Sequence, residues 1–197
     1  MQNQTFIEDH TSVEEDVPGV YPQDLEASIA TSSGRIFRLR PIRSDDDEKL
    51  VDFHSRLSDN TIHHRYLAPH PKLSVEEVHR LTQVDYVYRL ALVIEDDGDI
   101  VAVGRYDLYH GSTTAETAFV VQDDYQHLGL GRHLLKALAD AAAARGITDF
   151  RAETLSSNRG MLAIFRQTVY PLRIDTSPNE TSVLSPVIHT ELTKPKH

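Results

Sequence analysis

An α+β domain around a mixed sheet is the fold class this sequence predicts, on three observations. Short runs with strand alternation recur along the chain. Four stretches carry a helical apolar stripe or a helix cap. Their order, β-α-α-β-β-β-α-β-α-β-β, matches α+β architecture. With 197 residues, 40% hydrophobic and 25% charged, the chain suffices for one domain with a full core and is marginal for two.

Met1–Ser33 is acidic and polar, with two prolines and few periodic apolar positions, and predicts a disordered lead over residues 1–34. The first strand is expected at Arg35–Pro41, where apolar and polar residues alternate. Ser44 then caps a helix whose first turn, Asp45–Glu48, suits the positive dipole end, with Leu50, Phe53 and Leu57 as its stripe. Ser58-Asp59-Asn60 breaks the pattern, and Pro69 and Pro71 punctuate the loop that follows. Ser74-Val75-Glu76-Glu77 reads as a capping box opening a helix to about Gln83. Tyr88–Glu95 and Ile100–Tyr109 are strands around the turn Asp96–Asp99, and another strand covers Ala115–Val121. An alanine- and leucine-rich helix stops at Gly146. It is followed by a strand at Phe150–Leu155, a helix over Arg159–Gln167, and strands at Leu172–Asp175 and Val183–Leu192. The domain is expected over 35–193, with a tail at 194–197.

A net charge of −10 argues against a general nucleic-acid binder, which would show a basic stripe. It suits a cationic substrate such as a lysine or a polyamine, and it is also an ordinary way of staying soluble. No cysteine means no disulfide, no thiolate nucleophile and no thiolate metal site. No window approaches the roughly 20 apolar residues of a membrane span, and Met1–Thr11 is polar and acidic, unlike a signal peptide. No membrane partner is expected, and cytoplasmic residence is the default. His63, His64, His70 and His79 lack the His-Glu-x-x-His arrangement of a helical zinc site, so no metal is expected.

The most informative stretch is Thr117–Ala144, where an apolar strand ends in Gln126-His127-Leu128-Gly129-Leu130-Gly131 and opens into a helix. A helix start leaves backbone N–H groups unpaired at the positive dipole end, a setting for phosphate. A dinucleotide fingerprint needs a further small residue where Leu134 stands. A nucleoside-triphosphate loop needs Lys-Ser/Thr where Arg132-His133 stand.

The pattern Q/R-x-x-G-x-G/A, met here by Gln126–Gly131, resembles the central motif of the GNAT superfamily of acyl-CoA-dependent N-acyltransferases, and the element order coincides over about residues 35–193. The resemblance implies the GNAT fold: a mixed, mostly antiparallel seven-stranded sheet flanked by about four helices. Arg40–Arg43, Arg56–Ser58, Leu73–Glu77, Leu81–Asp85 and Ala115–Val121 are similar to segments of bacterial Pat-type protein lysine acetyltransferases, with His127 standing where glycine is usual. Those proteins often carry a cyclic-nucleotide-binding or synthetase-like portion, which the 34 residues before the domain cannot hold.

The resemblance implies acetyl-CoA as co-substrate and direct transfer to an amine. The thioester would lie beside Phe119-Val120-Val121, bonded by free backbone groups of Phe119 and Val121. The pyrophosphate would rest on N–H groups from His127 to Arg132 (Leu128, Gly129, Leu130 and Gly131 between them), with the Arg132 side chain adding charge. Asn158 would touch the pantetheine arm, and as a bare residue it is also a good helix cap.

Glu116 matches the glutamate that Pat-type relatives use as general base. Its other reading is a strand residue paired with Arg105 or Arg89. Phe165 stands near where many members keep a tyrosine acid. Tyr170 is nearby but opens the turn into Pro171. The acceptor implied is a lysine-containing protein. A small amine, or acyl-CoA sensing without catalysis, fits the same motif, and the sequence does not fix the oligomeric state.

Overall fold

Alternation, caps and tight turns arrange the chain as β1 (Ala27–Ala30), β2 (Ile36–Pro41), α1 (Asp47–Ser55), α2 (Asp59–Tyr66), α3 (Val75–Thr82), β3 (Arg89–Asp96), β4 (Asp99–Leu108), β5 (Thr114–Val121), α4 (Leu130–Ala144), β6 (Asp149–Leu155), α5 (Arg159–Arg166), β7 (Arg173–Thr176) and β8 (Glu180–Pro186). The structure is a computed structural model and describes residues 19–70, 72–166 and 172–187. The strands form one sheet in the order β1-β2-β3-β4-β5-β6-β8-β7, antiparallel except for β5 beside β6. Helices α1 to α3 cover the face of Val103, Arg105, Ala118 and Val120. Helices α4 and α5 cover the other, where Phe119 meets the Phe165 ring edge-on at 6.2 Å. Buried aliphatic residues of β3 and β4, such as Leu92 and Ile100, fill the space between the layers.

The α+β class and the mixed, mostly antiparallel sheet agree with the sequence reading, but among the described residues there are eight strands rather than seven and five α-helices rather than about four. The extra strand, β1, corrects the expectation of a disordered lead for residues 19–34. It pairs with β2 from Ala27↔Leu39 to Ala30↔Ile36, yet buries only Ile29, so it has no alternation to detect. Upstream of it, Tyr21 packs edge-on against Tyr86 at 5.7 Å. Residues 1–18 and the tail 194–197 lie outside the described residues.

The extra helix, α2, occupies Asp59–Tyr66, where a loop was expected. It buries only Thr61 and Ile62 and so shows no stripe. Its ends carry it instead: Ser58 Oγ accepts from the Thr61 N–H, and Leu67 turns left-handed at φ 59°. Leu50, Phe53 and Leu57 are buried as expected, and the Ser74–Glu77 capping box is present. The cap of α1 is not Ser44. Asp46 takes the N-cap position, and its carboxylate is used elsewhere.

That carboxylate meets a buried cation. Arg40 is 1% exposed and grips Asp46 with both terminal nitrogens, at 2.6 and 2.8 Å, while Nη2 also donates to Glu95 at 2.6 Å. The Arg43 N–H donates to Asp46 Oδ2 at 2.7 Å, and Lys49 Nζ donates to Glu95 at 3.1 Å. A forked guanidinium in a dry site holds a carboxylate more strongly than a helix N–H can, which is why Asp46 does not cap with its side chain. The cluster ties β2 and β3 to the start of α1.

Burial pushes the Glu95 carboxyl up, but its bonds from Arg40 and Lys49 outweigh that and hold it below the usual carboxylate range. This contribution to stability is therefore present above the unfolded-state value and is lost as pH falls through the lower folded value. Arg40→Ala removes the guanidinium from two buried carboxylates, leaving only Lys49 on Glu95, and should cost about 3–5 kcal/mol, read as a lowered urea midpoint at pH 7. The loss should shrink on acidification, because protonated carboxyls no longer need the guanidinium.

Candidate active site

The site begins with a ladder that stops early. β5 and β6 pair only from Thr114↔Asp149 to Glu116↔Arg151. Beyond Glu116, β5 stays on β4 as far as Ala102↔Val121, while β6 stays on β8 as far as Leu155↔Glu180. Each strand keeps its outer neighbour, and a wedge opens between them.

The Thr114 carbonyl accepts from Tyr109 at 3.1 Å, and the Gln122 N–H donates to Val101 O at 3.0 Å. Those bonds turn the amides of even-numbered β5 residues toward β4. By alternation, Phe119 and Val121 turn their N–H and C=O groups into the wedge, and Val120 turns its groups away. Gln126 Nε2 donates to the Val121 carbonyl at 3.1 Å, so one acceptor is already used.

At the wide end of the wedge the loop enters α4. His127 and Gly129 both have positive φ, 63° and 84°, which folds consecutive N–H groups into a concave nest. Among the described residues, the N–H groups of His127, Leu128, Gly129, Leu130 and Gly131 have no backbone partner. The Arg132 N–H is spent on Gly129 O at 3.1 Å, which corrects the expectation that the free donors run through Arg132. The exposed Arg132 side chain remains on the first helical turn. Glycine at 129 answers its left-handed backbone. At 131 the need differs: a Cβ there would lie 2.6 Å from the tip of Ile164, which can turn aside, so the fold alone does not demand glycine. Free donors, a positive helix end and a missing Cβ fit a pyrophosphate.

Glu116 is the last residue of the β5–β6 ladder and stands at the apex of the wedge. Its reading as an ion-paired strand residue does not hold. Arg89 Nε and Arg105 Nε both donate to Asp107, at 3.1 and 3.2 Å, and Arg151 pairs with Glu153 at 3.1 Å. Glu116 is exposed and has no ion pair among the described residues. Beside it lies Tyr109, whose phenol is pushed up first by burial and then by the Glu116 carboxylate. Asn158 Oδ1 accepts from the Met161 N–H at 3.0 Å, so it caps α5. Phe165 is fully buried against Phe119, and Tyr170 lies outside the described residues.

Sequence reasoning missed the residues that hold the loop. Asp123 accepts from the Ser58 N–H at 3.0 Å, the Ser58 hydroxyl at 2.6 Å and the Thr61 hydroxyl at 2.8 Å. Gln126 Nε2 also reaches Thr61 Oγ1 at 3.2 Å, and the Tyr125 hydroxyl donates to Asp96 at 3.0 Å. Helix α2 is thus bolted to the loop. The available signal was Ser58 followed by Asp59, a cap and an acidic first turn, hidden by the absence of a stripe.

The chain matches a family model described as "Acetyltransferase (GNAT) family" over residues 59–168. It is 33% identical to Acetyltransferase PA5475 of Pseudomonas aeruginosa over 132 residues, 65% of this chain and 71% of that protein. It is 31% identical to Acetyltransferase Pat of Mycolicibacterium smegmatis over 140 residues, 69% of this chain but 41% of that protein, so it spans less than half of that relative's length. Among solved structures, the GNAT domain of S. lividans PAT superposes with a TM-score of 0.79 at 34% identity, covering 85% of this chain and 99% of that one.

Burial raises the Asp123 carboxyl, yet the bonds from Ser58 and Thr61 outweigh it and hold the group below its usual range. Asp123→Ala should lower the urea midpoint by the equivalent of about 1–3 kcal/mol, since three donors lose one charged acceptor. In the wild type the same contribution should fade as pH drops from the ordinary aspartate value through the lower folded one.

Proposed function

This chain belongs to the acetyltransferase (GNAT) family, and we propose that it passes an acetyl group from acetyl-CoA directly to a lysine side chain of a protein. The observation that carries the reading is Glu116, a carboxylate with no ion pair among the described residues, at the apex of the wedge and three residues before Phe119, whose backbone groups turn inward. Acetyl-CoA supplies the activated thioester, and the chain supplies position and a proton acceptor. Phe119 and Val121 offer main-chain groups to an extended pantetheine arm, as a neighbouring strand would. The nest from His127 to Gly131, with Arg132 beside it, neutralises the pyrophosphate, and the Asn158 amide nitrogen, without a partner among the described residues, can reach the arm.

Glu116 takes the proton that makes the incoming ammonium a nucleophile, directly or through one water. Glu116 is exposed in the chain itself, and the bound donor and acceptor cover it by closing over the apex. A lysine acceptor is supported by the likeness to Pat of M. smegmatis and the PAT domain of S. lividans, and by the acidic surface. With Phe165 buried, the thiolate takes its proton from another donor.

Glu116→Gln should preserve acetyl-CoA affinity while slowing transfer to a lysine-bearing protein by about 10²–10⁴-fold near neutral pH. The loss should narrow at high pH, where free amine forms unaided. Parallel pH–rate profiles of similar height would exclude the base role. Faster thiol release with small amines than with the protein would exclude the lysine acceptor, and negligible release with either would favour acyl-CoA sensing.

Gly131→Ala should fold as the wild type does, because Ile164 can turn away. Gly131→Trp should abolish acetyl-CoA binding by filling the nest. Calorimetry showing unchanged affinity in a folded Gly131→Trp protein would place the pyrophosphate elsewhere.

A further inference from the structure

A cavity lies on the face of β5 that carries Glu116, over Ala118 and Val120 and under α1 and the end of α2. Its walls are apolar except for His54, Arg65, Tyr66 and Arg105, and among its lining residues there is no carboxylate. It has room for about two waters, the size of one carboxylate group.

Arg105 is only 7% exposed, yet it is held by one bond, Nε to Asp107 at 3.2 Å, and that carboxylate is shared with Arg89. Its two terminal nitrogens have no partner among the described residues. Burial, then the neighbouring Arg65 and Arg89, pull its guanidinium below its ordinary value despite Asp107. Independently, His54 is 4% exposed, lines the same cavity and has a buried Nε2 without a hydrogen-bond partner. A guanidinium with two uncommitted terminal nitrogens and a buried imidazole nitrogen without a partner thus meet in one cavity, and a carboxylate can accept a hydrogen bond from each.

We propose that this cavity is an acyl-end pocket in which Arg105 and His54 bind the carboxylate of a dicarboxylic acyl group, such as succinyl, giving the protein a second acyl donor class. The inference rests on the acyl-CoA reading of the wedge. Ala118 and Val120 flank Phe119, whose backbone faces the thioester position, so a chain two or three carbons longer than acetyl can turn over the small Ala118 into the cavity. The chemistry is unchanged: the bond from amine nitrogen to acyl carbon forms, the carbon–sulfur bond breaks, the amine proton leaves through Glu116, and CoA departs as the thiol after taking one proton.

The test is calorimetry of the full chain with acetyl-CoA, butyryl-CoA and succinyl-CoA, the last two sharing a four-carbon acyl group. Succinyl-CoA should bind about 10–100-fold more tightly than butyryl-CoA, the worth of one charge-assisted hydrogen bond. Arg105→Gln should erase that advantage while acetyl-CoA affinity stays within about threefold. Ala118→Leu fills the cavity from the strand position opposite Arg105 and removes neither member of the Arg105–Asp107 pair. It should erase the advantage too, and it decides the matter if Arg105→Gln fails to fold.

Equal wild-type affinities for butyryl-CoA and succinyl-CoA would overturn the proposal, as would a parallel loss of all three ligands in Arg105→Gln. A second arm offers free glutamate and aspartate as acceptors with acetyl-CoA. Arg105-dependent turnover of these, without a succinyl-CoA preference, would assign the carboxylate to the acceptor and overturn the donor pocket. Binding needs no acceptor, so failure of the lysine reading leaves this test intact, whereas failure of all three ligands to bind wild type would fall on the acyl-CoA reading itself.

Discussion

The ladder between β5 and β6 lasts three residues, and the rest of the site follows from where it ends. Parallel neighbours normally satisfy each other's backbone groups along their length. Here β4 holds one strand and β8 the other, so the sheet divides without losing its core. The split leaves Phe119 and Val121 with main-chain groups turned inward, sets Glu116 at the apex, and delivers the loop to the wide end. A full ladder would have closed all three.

Around that split the charged residues are distributed so that the ones at the centre stay free. Asp107 takes two guanidiniums, which is why neither reaches Glu116 across the strand pair Asp107↔Glu116. The same sharing leaves Arg105 undercompensated in the cavity behind β5. At the far edge, Arg40, Asp46 and Glu95 pair among themselves in a dry pocket and anchor α1. Asp123 joins the loop to α2 with three short bonds, so the face above the cavity and the anion nest form one mechanical unit. This is a polar framework in which each bonded group releases another for the site.

Legibility followed physical scale. Features set within a few residues were readable: the capping box at Ser74–Glu77, the hairpin turn with positive φ at Asp97 and Gly98, the stripe of α1, and the glycine loop before α4. Features that depend on remote partners were not. β1 exists because β2 offers it an edge, and α2 because Asp123, more than sixty positions away, holds its cap. Ser44 looked like the better cap until a buried arginine, set by the pairing of β2 with β3, claimed the aspartate at 46.

For this protein the sequence alone determined the α+β order, the strand–loop–helix arrangement that leaves backbone N–H groups free at a helix start, and which residue types stand there. Those properties come from backbone preferences and short spacings, which act locally. Only the tertiary structure decided that Glu116 has no ion pair among the described residues, that the Arg132 amide is bonded to Gly129 while its side chain stays exposed, and that Arg105 and His54 share a cavity. Charge pairing and burial are settled between strands and helices far apart in the chain, and a carboxylate's partner is whichever cation the sheet register sets beside it.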